Sequence, residues 1–488
     1  MMQDDEQMLG EENAVLREEI ATLRALVAEL LPLKTQVEQL SAQVKQLESR
    51  LAKDSQNSHL PPSSDRFARQ PKTKSLRKPS GKKAGAQPGH EGNTLYQASA
   101  PDQIIVHAVE ECVYCHQALY NEPVLQVERR QVLDVPPKRL VVLEHQAEQK
   151  YCPHCQQINK ASFPEQLSAP VQYGPGLGAL AVYLVQQQLL PYERACETIQ
   201  DLIGPAMTVG TLKSLMERCA QQLEPVEEEI KEHLRQSAVL HQDETGLYVM
   251  GKRMWMHVSA TEMLTHYAVH PKRGSEALQA IGILPGFLGV SVHDGWTSYW
   301  LYACLHALCN VHHLRELIFL HEHHQQDWAD EMKSLLLMMN QAVQQAKVSG
   351  LQWLNALEVA DWKAQYEALL SKGWQANPPD PPPLDGVARR GRRKQSAARN
   401  LLDRLSKHQD AVLRFLDDFS VPFDNSQAER DIRMVKVQQK ISGGFRSLAG
   451  AHAFCRIRGY LSTLRKQGAH VLTALELALV GHPVSPAF

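Results

Sequence analysis

The sequence predicts a multidomain α/β protein, and three observations support this prediction. The chain has 488 residues, which is too long for one compact core and suggests about three folded units. Two Cys-x-x-Cys pairs lie between residues 112 and 155, which indicates a small metal-stabilised module. Between residues 237 and 294, apolar runs typical of strands alternate with a helical segment.

The composition argues against a membrane or secreted protein. Hydrophobic residues make up 43% of the chain, yet no run of about 18 uncharged apolar residues occurs. The acidic N-terminus lacks the order of basic and apolar residues of a signal peptide. The remaining five of nine cysteines are scattered through apolar stretches and do not form a secreted disulfide framework. We therefore expect a cytoplasmic location.

Residues 1–52 are predicted to form a coiled-coil oligomerisation region. Their apolar residues follow alternating spacings of four and three, as in a coiled-coil seam. The seam consists of Leu16, Ile20, Leu23, Val27, Leu30, Leu33, Val37, Leu40, Val44, Leu47 and Leu51. Pro32 lies where the phase shifts by one residue, so we expect two helical segments with a kink or register fault. A helix that folds back onto its own domain is the alternative to self-association.

Residues 53–100 have the composition of a basic, Pro- and Gly-rich linker that cannot bury a core. Positions 66–90 carry eight Lys or Arg and no acid, and further basic clusters occur at 389–394 and 430–466. Basic blocks favour a polyanionic partner such as nucleic acid, although solvated faces are the alternative. The residues predicted to contact DNA are Lys72, Lys74, Arg77, Lys78, Lys82, Lys83, Arg430, Arg433 and Lys440.

Residues 101–160 are predicted to form a zinc-binding module. Cys112 and Cys115 form one Cys-x-x-Cys pair, and Cys152 and Cys155 form the other. Alternating apolar residues between the pairs predict a hairpin that joins two knuckles. A structural Zn²⁺ takes four ligands in a tetrahedron, and each knuckle presents two thiolates to one ion. A closed four-cysteine site leaves no open position for catalysis, so this zinc would be structural.

Residues 161–235 are predicted to be helical. Two helices, YERACETIQDLIG and TVGTLKSLMERCAQQL, are separated at Gly204-Pro205, and Thr208 is placed to cap the second one. This arrangement is compatible with a DNA-binding helix-turn-helix. The alternative is a helix pair that only packs against its neighbours, since the second helix carries just two cations.

Residues 236–445 are predicted to form one α/β domain. The order of elements is strand, strand, strand, helix, strand, with Asp243 on the first strand and Asp294 at the end of the fourth. This order, with acids on the first and fourth strands, is that of the ribonuclease-H-like fold, so we expect a catalytic domain of that class. A helical insertion is expected at about 325–415, with a basic loop, and a C-terminal helical region at 446–488. Neighbouring strands would bring the two carboxylates to one pair of divalent cations.

A later helix is expected to complete this site. The segment FDNSQAERDIRMVKVQQK places Glu429 and Lys436 two turns apart on one face. Carboxylate oxygens suit Mg²⁺ or Mn²⁺, and two such ions can promote an in-line phosphoryl transfer. Glu244 lies beside Asp243, and only one of these two side chains can point into the site of a regular strand.

The chain resembles the large transposase subunit of family 66 of bacterial insertion sequences, which has a DDE catalytic domain. The resemblance rests on the blocks LAKDSQNSHLPPSSD, KKAGAQPGHEG, LHQDETG, VHDGWTSYW, CNVHHLREL, FDNSQAERDIRMVKVQQKISGGFRS and IRGYLSTLRKQG. It implies that Asp243, Asp294 and Glu429 are the three acids and that Lys436 is the cation two turns later. Cys309 and His312 match a Cys-x-x-His signature, which we interpret as structural.

The resemblance further implies binding of terminal inverted repeats, DNA cleavage and strand transfer by a nucleoid-associated protein. Two smaller proteins are encoded beside members of this family and are possible partners. Two alternatives remain open from the sequence. The first is a non-catalytic, zinc-containing DNA-binding protein derived from a transposon. The second is a ribonuclease-H-like nuclease that cuts without joining.

Overall fold

The computed structural model describes residues 2–52, 97–133, 140–164, 167, 169–379 and 395–487. The chain divides into two compact units. The first comprises Met1–Ala68, Pro164–Cys196 and Met207–Phe488, and the second comprises Arg69–Phe163 and Glu197–Ala206. The predicted basic segments 66–90 and 389–394 lie outside the described residues. Among the described helices, none is both long and apolar enough to cross a membrane.

Helix α1, Met2–Ala52, is a single helix with Pro32 inside it, which differs from the two predicted segments. Proline in a helix interior costs about 3 kcal/mol but removes only one hydrogen bond of the ladder. The good helix-forming residues on both sides of Pro32 offset that loss. The seam residues from Leu16 to Leu47 whose side chains are described are exposed. Within the described chain, this seam is therefore not buried.

The cysteine-containing unit holds a short antiparallel pair, β1 (Gln149–Tyr151) and β2 (Ile158–Lys160). The expected hairpin between the two cysteine pairs is wrong for the described residues, because 123–133 and 140–148 form no strand. Val124, Leu125 and Val141 on these segments are exposed. An alternating pattern forms a strand only where a second surface buries its apolar side chains. Among the described residues, no surface covers these side chains.

Four helices precede the large sheet: α2 (Pro175–Gln186), α3 (Tyr192–Ile203), α4 (Val209–Gln222) and α5 (Glu224–Gln236). The predicted second helix and its cap are confirmed, since the Thr208 side chain accepts a hydrogen bond from the backbone of Thr211. The apolar face of α4 is buried against α2. That packing is the arrangement expected of a helix that stabilises the core.

A five-stranded mixed sheet forms the centre of the first unit. Its strands are β3 (Val239–Val249), β4 (Lys252–Ala260), β5 (Thr265–His270), β6 (Val290–His293) and β7 (Leu305–Leu308). Their order is β5-β4-β3-β6-β7, with β3 antiparallel to β4 and parallel to β6. Helix α6 (Ser275–Ile281) lies between β5 and β6 in the chain. The predicted order of strands and helix is confirmed.

A second core follows the sheet, and its helices from Asp327 onward occupy the span in which the helical insertion is expected. Its helices are α7 (Asn310–His324), α8 (Asp327–Val348), α9 (Ala356–Ala376), α10 (Ala397–Lys407) and α11 (Gln409–Asp417). They enclose a buried apolar cluster that includes Trp328, Tyr366 and Phe415. This packing gives α7, and the residues at its start, a fixed support.

Three C-terminal helices complete the unit: α12 (Ser426–Ser442), α13 (Leu448–Lys466) and α14 (Val471–Leu479). Helices α12 and α13 pack on β3, β4 and β5 through a cluster that includes Met256, Val258, Ile432 and Phe454. A Cβ at Gly459 of α13 would lie 3.1 Å from the carbonyl oxygen of Thr265, so glycine permits this close approach. One face of the sheet is therefore covered by the helix that carries Glu429.

Candidate active site

Asp243 lies on β3, and Asp294 directly follows the end of the neighbouring parallel strand β6. The pairing of β3 with β6 ends with His241 opposite Val292, and each aspartate lies two residues further along the chain. The charge of Asp294 raises the pKa of Asp243, so the two acids lie within electrostatic reach of each other. Two acids separated by 50 residues in the chain are thus brought together by strand register.

Glu429 approaches the same face from α12. On β4, Val258 is the register partner of Asp243, and it packs in one buried cluster with Ala428 and Ile432. These two apolar residues of α12 flank Glu429 and anchor the helix to the sheet. Glu429 itself is 28% exposed. Its charge acts on Asp243, and that of Asp294 acts on Glu429, so the third predicted acid lies within electrostatic reach of the first two.

Asn425 fixes the start of α12 relative to β3. Its side-chain amide donates to the carbonyl of Gln242 at 2.7 Å, and its oxygen lies 2.9 Å from Nδ1 of His241. Asn425 is almost fully buried. Since Gln242 precedes Asp243 and Asn425 precedes Glu429 by one helical turn, this bridge sets the spacing between the two acids.

The electrostatics of the site indicate an unbalanced negative charge. Burial raises the pKa of Asp243 well above its usual range, and repulsion from Glu244, Asp294 and Glu429 raises it further. Burial also raises the pKa of Glu429, as does the charge of Asp424. Among the described residues, the three predicted acids do not all lie within 4.8 Å of one another. Separated carboxylates that repel each other fit a divalent cation, because the cation relieves the repulsion.

Glu244 belongs to a different environment from Asp243. Arg273 donates to its carboxylate through Nε at 2.7 Å, and the Tyr299 hydroxyl donates to the other oxygen. The guanidinium of Arg273 also lies 3.8 Å from the carboxylate of Asp294 and stacks over Trp296. Burial and repulsion from Asp294 nevertheless raise the pKa of Glu244. Among the residues that the structure describes, Asp243 accepts a single hydrogen bond, from the backbone N–H of Glu244.

Cys309 and His312 contact the third acid. Cys309 directly follows β7 and occupies the N-cap position of α7, and His312 lies in the first turn of that helix. The sulfur of Cys309 lies 4.0 Å from Oε1 of Glu429, and Nδ1 of His312 lies 3.8 Å from the same oxygen. Burial raises the pKa of the Cys309 thiol to about 12, and the negative charge of Glu429 contributes.

The predicted cations of α12 fall into two groups. Lys436 is partly buried, and its ammonium donates to the carbonyl of Gly246 on β3 at 2.6 Å. Burial lowers the pKa of Lys436, and Arg253 lowers it further. Arg430, Arg433 and Lys440 are exposed on the outer side of the helix. Lys436 therefore contacts the strand that carries Asp243, and the other three face solvent.

The two predicted zinc knuckles have the same backbone geometry. The N–H of Cys112 donates to the carbonyl of Gln117, and the N–H of Cys152 donates to that of Gln157, both at 2.9 Å. Hydrogen bonds from neighbouring backbone and from the second cysteine of each pair lower the pKa of Cys112 and of Cys152. Among the described residues, no three of the four sulfurs lie within 4.8 Å of one another. Each knuckle, taken by itself, therefore has the backbone turn that a pair of thiolate ligands requires.

Sequence reasoning missed the supporting residues Arg273 and Tyr299 and the bridging role of Asn425. Arg273 is 29 positions from Glu244, and Asn425 is 183 positions from Gln242. Contacts at such separations follow no periodic pattern. The sequence features that could have drawn attention to these residues are the charged neighbours of Asn425 and the tyrosine in the block GWTSYW. Neither feature identifies the residue that would be contacted.

Comparison with protein families gives three matches. Residues 170–453, more than half of the chain, match the transposase IS66 family. Residues 110–156 match the zinc-finger binding domain of transposase IS66, which supports zinc binding, and residues 10–96 match a family of unknown function (DUF6444). No curated protein matches the chain. The family match includes the sheet and the start of α13, and the chain therefore belongs to the IS66 family of transposases.

Proposed function

We propose that this chain is a DDE-type DNA transposase that binds the inverted repeats of its element, cleaves the DNA and joins it to a target. The observation that carries the proposal is the parallel pairing of β3 with β6, together with the repulsion that Asp294 and Glu429 exert on Asp243 and that raises its pKa. The proposed core is ribonuclease-H-like. The strand order and the mixed directions of the sheet support that assignment.

Asp243, Asp294 and Glu429 would hold two Mg²⁺ or Mn²⁺ ions. Such a pair, when bound, activates an attacking oxygen and stabilises a leaving oxygen in phosphoryl transfer. The chain's own residues prepare the site. Asn425 holds the start of α12 against β3, and Arg273 pairs with Glu244, the acid next to Asp243. In the proposed reaction, a 3′-hydroxyl freed at the element end attacks a phosphate of target DNA.

Cys112, Cys115, Cys152 and Cys155 are proposed to hold one structural Zn²⁺. The lowered pKa of one cysteine in each knuckle supports this assignment, because thiolate is the form that binds zinc. The module would fold a small unit and supply no catalytic position.

DNA binding and assembly are assigned to other parts of the chain. The linker cations between residues 66 and 90, together with Arg430, Arg433 and Lys440, are proposed to contact phosphates. The exposed apolar seam of α1 is proposed to mediate self-association, since paired element ends require at least two subunits. Two smaller proteins of the element are proposed as further partners, and the protein is expected to associate with the nucleoid.

Joining of labelled DNA in vitro tests this proposal. The substrate is a duplex that carries one end of the element found beside the gene, mixed with unlabelled target DNA and Mg²⁺. The intact chain should cut the end and join it, and Asp294→Asn should bind the same duplex without cutting. Cutting without joining would favour a nuclease, and binding without cutting would favour a non-catalytic protein. Strand transfer by Asp294→Asn would mean that the active site lies elsewhere.

A further inference from the structure

Cys309, His312 and Glu429 form a cluster of three different metal-ligating groups. One ligand atom from each side chain lies within 4.8 Å of the other two. Among the residues that the structure describes, no other group of three or more His, Cys, Asp or Glu side chains meets this distance. The catalytic proposal uses only Glu429 of the three, so the sulfur and the imidazole require a separate explanation.

The fold gives each of the three groups a fixed position. Cys309 and His312 are three positions apart at the start of α7, so their side chains lie on one face of the first turn. The backbone N–H of Asn425 donates to the sulfur of Cys309 at 3.2 Å. A hydrogen bond of this kind stabilises a thiolate and orients it toward a metal ion. It also ties the α7 ligands to the helix that carries Glu429.

The three side chains of the cluster are buried to different extents. Cys309 is 1% exposed, whereas the side chains of His312 and Glu429 are 18% and 28% exposed. The sulfur therefore lies at the closed end, and the imidazole and carboxylate lie toward solvent. A cation that binds all three groups would keep one coordination position accessible to water.

We propose that Cys309, His312 and Glu429 bind one transition-metal cation of the zinc class. A thiolate, an imidazole and a carboxylate are all ligands of Zn²⁺, and three protein ligands plus a water complete a tetrahedron. Mg²⁺ prefers six oxygens, so sulfur and nitrogen select against it. On binding, the thiol proton leaves to solvent, and the charges of the thiolate and the carboxylate balance that of the cation.

This site shares Glu429 with the proposed catalytic set. A zinc-class cation held by Cys309 and His312 would withdraw Glu429 from the Mg²⁺ site, and micromolar Zn²⁺ would inhibit strand transfer. Inhibition rests on the proposed function, whereas metal binding does not. The cluster would then act as a sensor that stops DNA joining when free zinc is available.

Titration with Co²⁺ tests the binding directly. The full chain, with its zinc finger filled and loosely held metal removed by a mild chelator, is titrated with Co²⁺. We expect about one equivalent to bind with the visible bands of a tetrahedral ion and a sulfur-to-cobalt charge-transfer band, and Zn²⁺ should displace it. Cys309→Ser should lose the charge-transfer band, and His312→Ala should weaken binding at least about tenfold. The matched control Cys304→Ser alters a buried cysteine outside the cluster and should bind Co²⁺ as the original chain does.

Equal Co²⁺ spectra for the original chain and Cys309→Ser would overturn the proposal, as would failure of the original chain to bind Co²⁺. If Cys309→Ser does not fold by circular dichroism, the partly exposed His312→Ala decides, and unchanged affinity refutes the site. In the joining assay with Mg²⁺, added Zn²⁺ should reduce the joining rate of the original chain. The rate of Cys309→Ser, compared with its own rate without Zn²⁺, should not fall. Equal inhibition of both would remove the regulatory role, and a chain that joins no DNA but binds Co²⁺ would refute only the proposed function.

Discussion

The bridge from Asn425 to β3 provides a quantitative test of how the site is held together. Asn425→Ala removes the bonds to the carbonyl of Gln242 and to Nδ1 of His241, and both of these groups are buried. Each buried polar group left without a partner costs about 1–3 kcal/mol. For two such groups, the free energy of unfolding should therefore fall by about 2–6 kcal/mol. The backbone N–H at position 425 still donates to Cys309, so the change is confined to the side chain.

The effect on catalysis should exceed the effect expected from lost stability. Glu429 lies one turn after Asn425, and a displacement of about 1 Å at a catalytic group can reduce a rate about 100-fold. We expect the strand-transfer rate per folded molecule to fall by about that factor. The measurement combines urea denaturation, which gives the stability, with single-turnover joining under conditions where the variant is fully folded.

Thr463→Val is the matched control for this experiment. The Thr463 hydroxyl accepts from the backbone N–H of Thr265 and donates to its carbonyl, so it also makes two buried hydrogen bonds. Those bonds join α13 to β5 and do not involve the carboxylates. Thr463→Val should lose comparable stability and retain the joining rate. If Asn425→Ala joins DNA as fast as Thr463→Val, the bridge is merely structural and the positioning argument is refuted.

Four further predictions concern charge, zinc, DNA and assembly. The raised pKa of Asp243 means that its contribution to stability is lost as the pH rises from the ordinary carboxyl range through that raised pKa. Asp243→Asn should therefore raise the thermal stability of the metal-free protein at pH 8 more than at pH 5, and an unchanged pH dependence would contradict this. Cys152→Ser should lose the one tightly held zinc in elemental analysis and leave the sheet folded by circular dichroism; zinc retained at one per chain would exclude the assigned ligand set. Replacing four of the eight cations at 66–90 by Gln should reduce the slope of log K against log salt by up to about 3–4, and an equal slope would mean that this segment does not touch DNA. Deletion of residues 1–52 should lower the mass measured by light scattering, and an unaltered number of subunits would refute the role of the seam.

The sequence was sufficient for features that depend on neighbouring residues. The apolar runs around Asp243 and Asp294 predicted strands because alternation and length are local properties. The cap at Thr208 followed from one side chain and the turn after it. The expected hairpin in the cysteine-containing unit failed for a different reason. A strand also needs a partner, and local alternation carries no information about whether one exists.

The choice between the adjacent acids Asp243 and Glu244 illustrates what strand periodicity alone leaves open. The pleat places them on opposite faces, so alternation does not say which one belongs to the site, and the prediction of Asp243 rests on the resemblance to the transposase family. The packing of α12 supports Asp243, because its register partner Val258 belongs to the cluster that holds that helix. Glu244 instead accepts hydrogen bonds from Arg273 and Tyr299, which offset part of the effect of burial and of Asp294 on its pKa. A carboxylate without such compensation costs stability in the absence of a cation, and this cost is what makes Asp243 the stronger candidate for metal binding.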